Sequence, residues 1–278
     1  MKQKIIALLT LAAMLLGGCG TAKPENPYRL VKSELNYNHD PFEGDSSYTS
    51  TYSYTEEGWL AQVDSYLDGN WESTQVFSHD AYGNVYGTTT TSADGTSSYG
   101  ESKLTLDDQH RPILEASYNP DGTLFSTQET TYDAHGNILQ RVTTRVGALD
   151  GKDWTDTVQW QYDAKGNPIR QDICWNDGSA SYILYDYQDG RLVKETSYDV
   201  NRPDRATEYK EYTYDETGLV QTRQDYDKNG QLVLRCVTTF DEYGNELTID
   251  TYRNTEDGTL PDTPTRTIVH TYALSPQE

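Results

Sequence analysis

The sequence predicts an all-β protein: a long antiparallel meander of about eight two-stranded repeats, twisted and curled into an open spiral sheet or partial barrel. Three observations lead there. A turn of the form Tyr-Asp-x-x-Gly recurs through the chain, clearest at Tyr132-Asp133-Ala134-His135-Gly136. A second turn ending Asp-Gly or Asn-Gly falls midway between most copies, as at Asp121-Gly122 and Asn229-Gly230. The segments between turns are rich in Tyr and Thr, with 23 Tyr in all, although hydrophobic residues make up only 35% of the chain. Such segments favour strands, while the low apolar content favours sheets with a wet face.

Residues 1–18 read as a processing segment. Lys2 and Lys4 form a basic start, and Ile5 to Leu16 form an apolar run too short to span a bilayer. Leu16-Gly17-Gly18-Cys19 follows and resembles the lipobox of bacterial lipoproteins. The resemblance implies that Cys19 becomes the new N-terminus and carries lipid acyl chains. Residues 19–34, with Pro24 and Pro27 among polar neighbours, read as a flexible tether. Order is expected to begin near Leu35, the repeat domain to run over 35–273, and a tail at 274–278 to fray.

Within the repeat domain each turn has a local cause. Asp133 opens its turn by accepting hydrogen bonds from the backbone just downstream, and Gly136 closes it by taking positive φ without a Cβ clash. The same pair recurs as Asp163 and Gly166, Asp215 and Gly218, and Asp241 and Gly244. His110 stands once in the glycine position, and Tyr187 to Gly190 is one residue short. A type I turn with a left-handed bulge matches the twist of flanking strands, so each turn is a hairpin tip. Two turns per unit predict roughly sixteen or seventeen strands. Alternation at Val158, Trp160 and Tyr162 against Gln159 and Gln161 predicts one aromatic and aliphatic face and one wet face. A sheet of that many strands curls, because twist accumulates.

Tyr-Asp-x-x-Gly-Asn at this spacing resembles the YD repeat of RHS and teneurin-like proteins, and Asp189-Gly190-Arg191 matches the family's Gly-Arg form. The resemblance covers about residues 45–273. It implies a β-sheet shell of the kind that encloses a polypeptide, in a family with links to carbohydrate binding. This chain is far shorter and shows neither a self-cleaving core segment nor a toxin domain, so a small curled sheet or partial barrel is expected.

The net charge is −22, with 44 Asp and Glu against 22 Lys and Arg. Such a chain does not hold a nucleic-acid backbone by charge and is repelled by anionic lipid heads. Membrane attachment is therefore expected only through Cys19. Cys174 and Cys236 lie about five strands apart by turn counting, roughly 24 Å at strand spacing, beyond a disulfide's reach; they read as separate thiols. Turn aspartates on alternate strands sit about 9–10 Å apart, too far to share a calcium ion. His110 and His135 lack a third ligand for zinc. No nucleophile–base grouping or phosphate loop stands out. No metal, cofactor or catalytic residue is expected.

The aromatics are the better lead, since Trp and Tyr faces stack on sugars and anchor protein partners. Trp160 shares the parity of Val158 and reads as core, whereas Trp154 and Trp175 lie nearer turns and are the candidate ligand contacts. The expectation is a non-catalytic cell-envelope lipoprotein on the extracytoplasmic face of the cell membrane. It would bind a carbohydrate or a surface protein. The alternative is a structural or assembly scaffold that holds another polypeptide at the sheet edge or interior.

Overall fold

The computed structural model describes residues 28–40, 44–119, 121–149, 151–254 and 259–274. Eighteen strands follow one another, with no helix among the described residues. The first six are β1 (Tyr28–Asp40), β2 (Gly44–Tyr54), β3 (Leu60–Leu67), β4 (Asn70–His79), β5 (Val85–Ser92) and β6 (Ser97–Leu106). Next come β7 (Pro112–Tyr118), β8 (Leu124–Tyr132), β9 (Ile138–Leu149), β10 (Lys152–Tyr162), β11 (Pro168–Cys174) and β12 (Ala180–Gln188). The last six are β13 (Arg191–Asp199), β14 (Ala206–Tyr214), β15 (Val220–Asp227), β16 (Leu232–Phe240), β17 (Glu246–Arg253) and β18 (Arg266–Leu274).

Each strand pairs antiparallel with its neighbours in sequence, and β1 pairs with β18. The sheet is therefore a closed barrel, not the open spiral or partial barrel that the sequence predicts. Closure removes both edges, which would otherwise expose unpaired backbone groups. Two further expectations change. The strand count exceeds sixteen or seventeen. Tyr28–Glu34, expected within the tether, belongs to the strand that closes the ring. The leader, Cys19 and 275–278 lie outside the described residues.

Residues directly opposite in a ladder share a face. Following the register from Leu35 to Ile268, Arg266 to Thr251, and Thr251 to Cys236 traces one face around the ring. Most buried strand side chains lie on it, including Leu35, Ile268, His270, Thr251, Cys236, Glu195 and Thr130. This face is the inward one. It carries Val158 and Trp160 of the predicted apolar face, but charged Glu195, Lys210, Arg223 and Asp225 stand on it too, in adjoining strands. Conversely, the outward face carries the stacked pairs Tyr182–Tyr198 and Tyr209–Tyr226.

Eighteen strands at strand spacing make a ring roughly 30–35 Å across if round, wider than facing side chains can fill. The burial agrees. Among the described residues only Leu35, Leu192, Cys236 and Ile268 are buried apolar side chains, and most others on both faces are half-buried. The wall is one sheet thick and wetted on both sides.

Candidate functional site

The ring has two distinct rims. One holds the turns that follow the even-numbered strands up to β16, together with both described chain ends, Tyr28 and Leu274. The other holds the turns that follow the odd-numbered strands, and Trp154 and Trp175 with them.

The first rim holds the predicted turn residues. Asp133 Oδ1 accepts the backbone N–H of His135 and Asn137, each at 2.8 Å, and Oδ2 accepts Asn137 Nδ2 at 2.8 Å. Gly136 has φ +92° and donates its N–H to the Asp133 carbonyl. Asp163 with Gly166, Asp215 with Gly218, and Asp241 with Gly244 repeat the arrangement. The side-chain hydrogen bond from Asn137 is the main reason the Asp133 carboxyl is held below its ordinary value. Asn167 does the same for Asp163, and Thr217 for Asp215. At Asp241 burial pushes upward, but hydrogen bonds led by Asn245 outweigh it. These carboxylates are occupied by their own turns and offer no ligand site. The short turn at Asp189-Gly190 has positive φ at both residues and pairs Gln188 directly with Arg191, a two-residue type I′ hairpin.

Sequence reasoning missed the residue after the turn glycine. Arg111 bonds Asp107 through Nε at 2.7 Å, lies over the Tyr132 ring at 4.2 Å, and reaches Gly136 of the next turn. Arg29 and Arg191 occupy the same place against Gly58 and Gly218, over Tyr54 and Tyr214. Trp59 does so against Gly83. The Gly190-Arg191 pair was the available signal.

The second rim joins the end of the Trp154 strand to the Trp175 turn through Asp156 and Asn176. Trp154 Nε1 donates to Asp156 Oδ1 at 2.7 Å, and the backbone N–H of Asn176 reaches the same oxygen at 3.3 Å. Asn176 Oδ1 in turn accepts the N–H of Thr155 at 3.0 Å. Arg145, opposite Trp154 on β9, holds Asp156 Oδ2 at 3.3 Å. Trp175 opens the turn to β12, bonded to Ser179 and Gly178 through its backbone, and the residue is 38% exposed. Gly147, with φ +62°, donates to Asp153 Oδ1 and shapes the neighbouring hairpin. The result sets the turn that bears the exposed Trp175 against the strand end that bears Trp154, whose indole N–H is fixed by Asp156, with the Arg145 guanidinium and the Asn176 amide on the same carboxylate and strand.

Elsewhere on the inward wall, Tyr212 donates its hydroxyl to Glu195 Oε1 at 2.8 Å and Lys210 reaches Oε2 at 3.4 Å. Burial, then Glu195, pushes the Tyr212 and Tyr185 hydroxyls well up. This network is internally satisfied. Cys174 is exposed, Cys236 is buried, and both are free thiols. Among the described residues no His, Cys, Asp and Glu are grouped to hold a metal ion.

The fold and rim define a closed, eighteen-stranded antiparallel barrel whose inner wall mixes aromatic, aliphatic and charged side chains and whose mouth bears tryptophans. No family model matches the chain, and no curated protein does. Among solved structures it is similar to a porin-like protein from Bacteroides uniformis, at 14% identity and TM-score 0.45, over 88% of this chain and 96% of that one. It is also similar to TcdB2-TccC3, at 11% identity and TM-score 0.33, over 82% of this chain but 15% of that one. A Photorhabdus luminescens Tc holotoxin pore matches at 12% identity and TM-score 0.20, over 88% of this chain and 18% of that one. The chain thus spans less than a fifth of the Tc structures.

Proposed function

We propose that the protein is a non-catalytic, lipid-anchored binding module on the extracytoplasmic face of the membrane, and that its Trp154–Trp175 rim takes a carbohydrate. One observation carries the reading. Trp175 stands exposed in a turn that is tied, through its neighbour Asn176, to the Asp156 carboxylate that pins the Trp154 indole. An aromatic face next to fixed hydrogen-bonding groups is the chemistry that stacks on a sugar ring and reads its hydroxyls.

The anchor reading rests on Leu16-Gly17-Gly18-Cys19 and on the charges of the wall. Arg170–Asp172 and Lys194–Glu211 pair on the outward face, and Lys210–Glu195 and Arg223–Asp225 on the inward one. Neither face offers the continuous apolar band that a bilayer-spanning barrel needs. Attachment through a lipid on Cys19 suits such a wall. In the closed ring no strand edge is free, so a scaffold that holds another polypeptide by edge pairing is the weaker reading.

The test is a glycan array probed with residues 20–278. Binding to a polysaccharide that drops about tenfold or more in Trp175→Ala or Trp154→Ala, the loss usual for an aromatic anchor, supports the proposal. A blank array overturns the carbohydrate. Separately, Cys19→Ser should abolish lipid labelling and release the protein from membranes.

A further inference from the structure

The ring closes at one seam. Every other ladder joins consecutive strands, whereas β1 and β18 lie at opposite ends of the chain. β18 depends on β1 more than on β17: its pairing with β1 runs from Tyr28 to Tyr37, but with β17 only from Thr248 to Thr251. The driest side chains gather here, with Leu35 5%, Ile268 8%, His270 5% and Thr251 2% exposed.

His270 stands directly opposite Ser33 of β1, on the inward face. Its Nδ1 is buried and has no hydrogen-bond partner. The polar and titratable groups around it are few. From its own strand come Tyr272, with ring centroids 6.4 Å apart, and Arg266, engaged with Thr251 of β17. From β2 come Ser50, opposite Ser33, and Tyr52, bonded to both serines. Glu246 of β17 meets Tyr272 through its backbone carbonyl. Glu34 of β1 lies on the other face, paired with Lys32 at 2.8 Å.

We propose that His270 is an acid-sensitive latch: protonating it parts the β1–β18 seam and opens the barrel wall. An imidazolium there would sit in a dry pocket without an acceptor for its new N–H. That desolvation is relieved by letting water into the seam. Burial already holds His270 below its ordinary value of 6.5. The open seam restores that value, so the neutral latch contributes fully above about 6.5 and is lost as pH falls through the lowered one. The loss at His270 begins below its ordinary value of 6.5, whereas that of the turn aspartates begins only below about 3.9, so the seam weakens first. Opening frees two strand edges, which can accept an extended segment, and admits solutes to the interior.

Amide hydrogen exchange on the full chain tests this, read at 28–37 and 266–274 against β12–β13, corrected for intrinsic rates. Between about pH 7.5 and 5.0 the seam should lose protection, while β12–β13 keeps its own. His270→Gln should remove most of that dependence. Seam protection that follows β12–β13 throughout, or an equal fall in His270→Gln, overturns the latch. Should the variant not fold, the imidazole of the unaltered chain is titrated by NMR. A midpoint below 6.5 that coincides with shifts in β1 and β18 supports the proposal, and one at or above 6.5 overturns it.

Discussion

At Gly218 the backbone has φ +88°, and the Arg191 guanidinium lies 2.8 Å from where a Cβ would be. Gly218→Ala should therefore cost about 1–3 kcal/mol by chemical denaturation. Gly100→Ala is the control, because its φ is not positive and the nearest atom is the Thr88 carbonyl oxygen at 3.9 Å; it should be close to neutral. His110 shows how a non-glycine survives this position: at φ +63° its ring stacks on Tyr82 with centroids 3.8 Å apart. The turn aspartates set the acid limit. Their folded values are depressed, so their contribution is whole above about 3.9 and is lost as pH falls through the lower folded values. The thermal midpoint of the whole barrel should fall most steeply below about pH 4, and Asp133→Ala should lower it at neutral pH.

Single hairpins become a wall through contacts between successive turns. Tyr162 donates its hydroxyl to the Ile138 carbonyl at 2.7 Å, Tyr132 to that of Pro112 at 3.0 Å, and Tyr54 to that of Leu30 at 2.8 Å. Each bond ties the end of one strand to the start of its neighbour at the open end of a hairpin. Tyr162→Phe should cost about 0.5–1.5 kcal/mol, the net worth of one such bond. Arg111→Ala removes an ion pair, a ring contact and a packing surface together, so its loss should exceed that of a surface pair, about 1 kcal/mol at most. Asp133 and Gly136 were legible in the sequence because their work is done within one turn. Arg111 and Trp59 were not, because each acts on the following turn, about 25 residues on. Trp154 and Trp175 were legible as aromatics near turns. Their link through Asp156 and Asn176 was not, because it joins two separate hairpins.

Across the whole molecule, closure replaces a large dry core. The described residues hold few buried apolar side chains, so cooperativity rests on each strand having two neighbours. Deleting 255–278 removes β18 and leaves β1 and β17 as open edges. That variant should associate or aggregate at concentrations where the full barrel is monodisperse by size-exclusion chromatography. Substitution in a central hairpin turn should not do so, since the ring stays shut. The net charge of −22 works against association of the closed form.

The sequence by itself determined the all-β class, the hairpin turns and most of their positions. Those depend on local dihedral preferences and two-residue alternation, which a few neighbouring residues settle. Only the tertiary structure decided that Tyr28–Tyr37 is a strand, that the ring shuts against β18, and that charged side chains stand among the aromatics of the inward face. It also decided that two tryptophans share a rim opposite the chain ends. Closure depends on twist and register accumulated over eighteen strands and on a pairing between the first and last of them. No local pattern encodes that pairing.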